Sequence, residues 1–130
     1  MVIRNKYNAK KITVDGIKFD SKAEAQFYSY LKVLKEIGEV RSFEMQVPFN
    51  LQEGFYHPTK TTKSGRYKRV PAIVYKADFV VRFSDGVEKV IDVKGMQTPV
   101  FKLKAKMFLH NFGSLYLAKK NAGGWELEEF

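Results

Sequence analysis

Cysteine is absent from all 130 residues, which excludes disulfides, thiolate nucleophiles and thiolate zinc sites. Histidine is nearly absent: His57 and His110 are two isolated rings that give no ligand cluster. Any metal held by this chain is therefore a hard ion bound through oxygen. Long apolar runs are missing as well, and none approaches the ~20 residues that cross a bilayer. The basic N-terminal stretch with Arg4, Lys6, Lys10 and Lys11 has no such run behind it, so a soluble, cytoplasmic chain without a membrane partner is expected. Acids are missing from two stretches. Gly54 to Ala77 carries six Lys or Arg and no Asp or Glu, and Lys94 to Trp125 carries six Lys and no acid. With a net charge of +9, that unevenness points to a polyanionic partner.

What is present suits one domain over residues 1–130, with 45% apolar and 15% aromatic residues to build a core. Ile12 to Phe19 reads as a short hairpin around Asp15-Gly16. Ser21 then caps a helix with Glu24 as its capping-box partner, and Ala23, Phe27, Tyr30, Leu31, Leu34 and Ile37 form a stripe ending at Gly38. Phe43 to Gln52 alternates as a half-buried strand, pushed toward a sheet edge by Pro48. Gly54 to Val70 reads as a long, flexible, basic loop. A hairpin from about Val74 to Lys94 follows, then a helix from near Pro99 to Asn111 with Phe101, Ala105, Phe108 and Phe112 facing the core, and an apolar strand at Ser114 to Ala118. The order ββ-α-βββ-α-β describes an α/β sandwich around one mixed central sheet.

The late hairpin carries the chemistry. A two-residue turn at Asp85-Gly86 would set Asp78 opposite Val93. A three-residue loop Ser84-Asp85-Gly86, with Gly86 left-handed, sets Asp78 opposite Asp92. The second register is preferred because it also pairs Arg82 with Glu88 and aligns Ala77, Phe79, Val81 and Phe83 with Val87, Ile91 and Val93 on one apolar face. Lys89 is the misfit on that face. Opposed residues have Cβ atoms about 4.5 to 5.5 Å apart, so two carboxylates there repel unless a cation lies between them. Lys94 follows roughly 6.6 Å along the strand. These acids, with Asp85 and Glu88, fall between the two basic stretches, as a hydrolytic pocket within a cationic surface would require.

Asp78 followed by Asp92-Val93-Lys94 resembles the signature of the PD-(D/E)xK nuclease superfamily, and Ser21-Lys22-Ala23-Glu24 is similar to the helix that carries an additional glutamate in those enzymes. The span from Gly16 to Leu117 resembles phage endonuclease I-type Holliday junction resolvases. It also resembles a family of small phage and prophage proteins known mainly as a domain of unknown function. Ala77 stands where the signature has proline. The resemblance implies a restriction-endonuclease-like sheet, a phage- or prophage-encoded protein in a bacterial host, and catalytic roles for Glu24, Asp78, Asp92 and Lys94.

Phosphodiester hydrolysis needs an activated water, stabilisation of charge on the phosphate and help for the leaving oxygen, and Mg²⁺ or Mn²⁺ supplies all three. Asp78 and Asp92, with the Val93 carbonyl, are the candidate ligands. Lys94 is assigned to charge stabilisation in preference to base catalysis, because a lysine pKa near ~10.4 is kept high by adjacent acids. Glu24 has two readings, a helix cap worth ~1 kcal/mol or a further ligand. Tyr28 is assigned to packing in preference to the site, and Glu44 and Gln46, which share a polar strand face that could reach the site, are assigned to solvent. Lys60, Lys63, Arg66, Lys68 and Arg69 in the loop, with Lys102, Lys104 and Lys106 on the second helix, are expected to contact phosphates without reading bases. The expected function is a metal-dependent DNA endonuclease, structure-selective on branched DNA and homodimeric, because resolving a junction takes two cuts. The alternatives are a nuclease acting on linear DNA and a non-catalytic DNA-binding accessory protein.

Overall fold

The computed structural model describes residues 11–93 and 95–130. Ile12–Val14 (β1) and Ile17–Phe19 (β2) pair through Asp15-Gly16, whose φ angles of 52° and 75° are both left-handed, as a two-residue hairpin turn needs. Helix α1 spans Lys22–Glu36, with the Ser21 hydroxyl accepting the Glu24 N–H at 3.1 Å. Its buried face is Ala25, Phe27, Tyr28 and Leu31. Ile37, expected in the stripe, is the C-cap residue and is 63% exposed. Tyr28 packs between Phe19 and Phe43 at 5.1 and 5.9 Å, and its hydroxyl donates to Asp15 Oδ2 at 2.9 Å, so it is a packing residue.

After α1 come β3 (Val40–Gln52), β4 (Phe55–Thr61), β5 (Tyr67–Val70), β6 (Ile73–Phe83), β7 (Glu88–Val93), α2 (Pro99–Asn111), β8 (Leu115–Asn121) and β9 (Gly124–Glu129). The central sheet has the order β3-β6-β7-β8-β9. Only β7 and β8 are parallel among its pairs, and α2 supplies the crossover that a parallel pair requires. Pro48 does lie on an edge strand, β3. Thr98 caps α2 by accepting the Phe101 N–H at 3.1 Å, and Pro99 opens the helix, where a missing N–H costs nothing.

The mixed α/β class is as expected, but the element order is longer by β4, β5 and β9. The stretch read as a flexible basic loop is a two-stranded ribbon, with Phe55 opposite Val70, Tyr56 opposite Arg69 and Thr61 opposite Tyr67. The surplus residues on β4 are taken up where His57 Nδ1 accepts the N–H groups of Thr59 and Lys60 at 3.1 and 2.9 Å. Thr62 N–H to Arg66 O, 2.7 Å, closes the tip.

Helices α1 and α2 pack on opposite faces of the sheet. Neighbours on β7 show it: Ile91 joins the cluster around Phe27, and Val90 the cluster around Phe108. Phe27 meets Phe79 at 5.2 Å and Trp125 of β9 at 5.0 Å, while Phe108 meets Tyr75 at 5.6 Å and Phe49 at 4.9 Å. Strict alternation would put Ala77, Phe79 and Val81 on one face, yet Phe79 and Val81 join the α1 cluster while Tyr75 and Ala77 join the α2 cluster. The neighbouring strand does the same, Phe43 and Met45 against Phe49 and Leu51. The change falls at Gln46 and Asp78, where Gln46 has φ 53°, so the single apolar face expected for the hairpin is broken at its aspartate. Lys89 is explained by the rings beside it, its ammonium lying 4.7 Å from Tyr116 and 5.7 Å from Phe83, a favourable cation–π arrangement.

Candidate active site

The β6–β7 hairpin adopts the three-residue loop. Phe83 N–H bonds Val87 O at 2.8 Å, Gly86 has φ 91°, and the ladder runs Arg82–Glu88, Val81–Lys89, Val80–Val90, Phe79–Ile91. Arg82 Nε meets Glu88 Oε2 at 2.8 Å. Continuing the ladder brings Asp78 to Asp92, and their side chains replace the backbone bonds there. Asp92 Oδ1 accepts the Asp78 N–H, and Asp78 Oδ2 accepts the Val93 N–H, both at 2.9 Å. The two carboxylates are thus fixed by each other's strands at the point where the sheet changes face. Asp92, 8% exposed, is the buried charged residue among those described.

Burial, then the charge of Asp92, then that of Glu24 push the Asp78 carboxyl above its ordinary pKa, against the hydrogen bonds from Val93 and Gln46. Burial likewise raises Asp92. Glu24 is raised by burial and by the charges of Asp20 and Asp92, with Ser21 pulling the other way. The first turn of α1 and the end of the hairpin therefore share one negative field. Neither aspartate has an ion-pair partner among the described residues. Asp78 opens with Glu24 and Asp20 into a cavity of about 380 Å³ that Lys18, Gln46 and Lys76 also line. Asp92 borders a smaller hollow of about 110 Å³ with Val93, Gly95 and Phe101. Among the described residues, the pair thus borders two hollows, one at each aspartate. Among the described residues, no three His, Asp or Glu form a ready metal cage.

Gln46 is exposed, as expected, and its Nε2 donates to Asp78 Oδ1 at 3.4 Å. Glu44 is exposed, as expected. Tyr75 was not singled out from sequence. Its hydroxyl is buried near enough to Asp92 for each to act on the other's ionisation, but it reaches no hydrogen bond of ordinary geometry. Burial first, then the Asp92 charge, drive the Tyr75 pKa upward. Lys94 lies outside the described residues.

Lys60, Lys63, Arg66, Lys68 and Arg69 are all exposed along the ribbon. Lys102 and Lys106 are exposed on α2, whereas Lys104 is half-buried and its ammonium donates to Val74 O at 2.9 Å. No helix among the described residues is long and apolar enough to cross a membrane.

The chain belongs to the family described as protein of unknown function (DUF1064), whose model matches residues 4–122. No curated protein and no solved structure matches it.

Proposed function

We propose that the protein is a metal-dependent DNA endonuclease of the PD-(D/E)xK kind, with a restriction-endonuclease-like sheet, acting on branched DNA as a homodimer. The observation that carries this reading is the Asp78–Asp92 pair: one half-buried and one buried carboxylate, locked in place by each other's strands, with no ion pair to either among the described residues. Such a pair binds a proton or a cation at neutral pH. The donors are all hard oxygens, and Mg²⁺ is commonly held by one or two carboxylates with water and phosphate completing the shell. Asp78 and Asp92 would hold Mg²⁺ or Mn²⁺, with Glu24 and the Val93 carbonyl as further donors. The ion supplies Lewis-acid stabilisation of the phosphate and an activated water.

The chain's own residues then divide the work. The Asp78 and Val93 N–H groups orient the two carboxylates, and Gln46 steadies Asp78 from β3. Lys94 enters by its place after Val93 and neutralises charge developing on the phosphate. The exposed cations of the ribbon, with Lys102 and Lys106, hold the DNA backbone. Lys104 is engaged with Val74 and contributes less. The exposed cations of the ribbon and of α2 equally suit a second reading, a DNA-binding accessory protein that does not cut.

Labelled four-way junction, flap, linear duplex and single strand, each incubated with Mg²⁺, Mn²⁺ or EDTA, separate these readings. Metal-dependent cuts near the branch point support the proposal. Equal cutting of linear duplex leaves a general nuclease, and binding without cutting leaves the accessory protein.

A further inference from the structure

The ribbon is more than a row of cations. Tyr56, Tyr67 and Phe55 are 65%, 55% and 44% exposed on it, a costly place for three aromatic rings on strands whose main packing is against each other. Tyr56 lies opposite Arg69, and Tyr67 is two residues before Arg69 on β5. By strand alternation, Tyr56, Arg69 and Tyr67 therefore share one face, with neighbours along β5 roughly 6.6 Å apart. The Arg69 guanidinium lies 5.2 Å from the Tyr56 ring centre. Gly54 lets it do so, because a Cβ there would come within 2.6 Å of Arg69 Nη2. The other face carries Phe55 and Lys68, and no acid lies anywhere between Gly54 and Ala77.

We infer that this face stacks unpaired DNA bases on Tyr56 and Tyr67 while Arg69 on the same face and Lys63 at the ribbon tip take the adjoining phosphates. Lysines alone would bind any duplex. Exposed rings add affinity only where a base offers its flat face, and a paired, stacked base does not. Branch points and frayed ends supply such bases, so the ribbon selects for unpaired nucleotides next to duplex. For the identity of the polymer the arm rests on the nuclease reading above, but it acts through binding and not through cleavage.

The test is binding in EDTA, on uncut DNA, of a forked duplex with thymidine arms against a blunt duplex of the same length, across a salt titration. Tyr56→Ala and Tyr67→Ala should each weaken binding to the fork by roughly tenfold or more while leaving the blunt duplex nearly unchanged. The salt slope should stay the same, because no charge is lost. Tyr56→Leu and Tyr67→Leu, which keep bulk at the strand positions, should lose as much as the alanine variants. The phenylalanine variants should keep wild-type affinity. Lys63→Gln should instead flatten the slope on both DNAs, by up to about 0.9 for the lost phosphate contact. Equal losses on fork and blunt duplex, no loss in the alanine variants, or full affinity in the leucine variants would overturn the stacking role. A wild-type protein that bound neither DNA would contradict the nuclease reading itself.

Discussion

An aspartate set opposite another aspartate costs free energy unless a proton or a cation lies between them. Asp78 and Asp92 both carry native pKa values above their ordinary range, from burial first and, for Asp78, from mutual charge next. Between an unfolded value near ~3.9 and the raised native one, the folded protein holds more protons than the unfolded chain. Stability therefore falls as pH rises through that window and stays lower above it. Asp92→Asn removes one acid yet keeps an oxygen to accept the Asp78 N–H. Its melting temperature at about pH 7 should exceed the wild type's by about 3 °C, the size of shift that ~1 kcal/mol gives in a domain of this length. The gain should vanish near pH 3, where wild-type carboxyls are protonated too. Mn²⁺ should raise the wild-type melting temperature at neutral pH and leave Asp92→Asn unmoved. A thermal-shift series in pH with and without Mn²⁺ checks both signs. Glu24 is settled by Glu24→Gln. A capping residue tolerates the amide, since Gln also serves a capping box. A ligand does not, so the proposal expects cleavage to drop at least tenfold with no fall in melting temperature. Unchanged cleavage would return Glu24 to the helix cap.

At the scale of elements, the β6–β7 loop decides whether the two aspartates meet. Gly86, at φ 91°, holds the left-handed position of the three-residue loop. Gly86→Ala should destabilise the protein by about 1–2 kcal/mol, the cost of a Cβ in that region, as read by denaturant unfolding. No site residue is touched, so metal response should persist in the folded fraction. A variant that stayed fully stable would show that the loop tolerates another register. This hairpin was legible in sequence because loop length, the Arg82–Glu88 pair and the two aspartates all demanded one register. The β4–β5 ribbon was not. Its side chains are exposed on both faces, so no apolar alternation marks it, and Pro58 and Gly65 suggest a loop. Its strands show only as Tyr56, Tyr67 and the threonines. Strand β9 escaped because Trp125 and Leu127 are its only inward apolar pair, although Trp125 closes the α1 core against Phe27. The face change at Gln46 and Asp78 was also hidden, since alternation assumes a continuous strand and cannot reveal a left-handed residue.

Across the whole molecule, charge is sorted by place. The four interacting acids, Asp20, Glu24, Asp78 and Asp92, gather where the start of α1 meets the hairpin end, while the net charge of +9 is carried largely by the ribbon, α2 and β8. A positive surface raises the local concentration of a polyanion and speeds its arrival, and the acidic centre repels phosphate unless a cation is present. Sequence exposed that sorting because the acid-free stretches are contiguous, and it exposed the mixed α/β class because helix and strand periods alternate. It did not show that Asp78 and Asp92 border different hollows, which depends on where the sheet turns over. The most direct test is a cleavage assay of wild type and Asp92→Asn side by side, on junction DNA, with Mn²⁺ and with EDTA. The account expects cutting by the wild type with Mn²⁺ only, and none by Asp92→Asn, although that variant binds the junction as tightly or more tightly. Cleavage by Asp92→Asn at the wild-type rate, or wild-type cleavage that persists in EDTA, would contradict it.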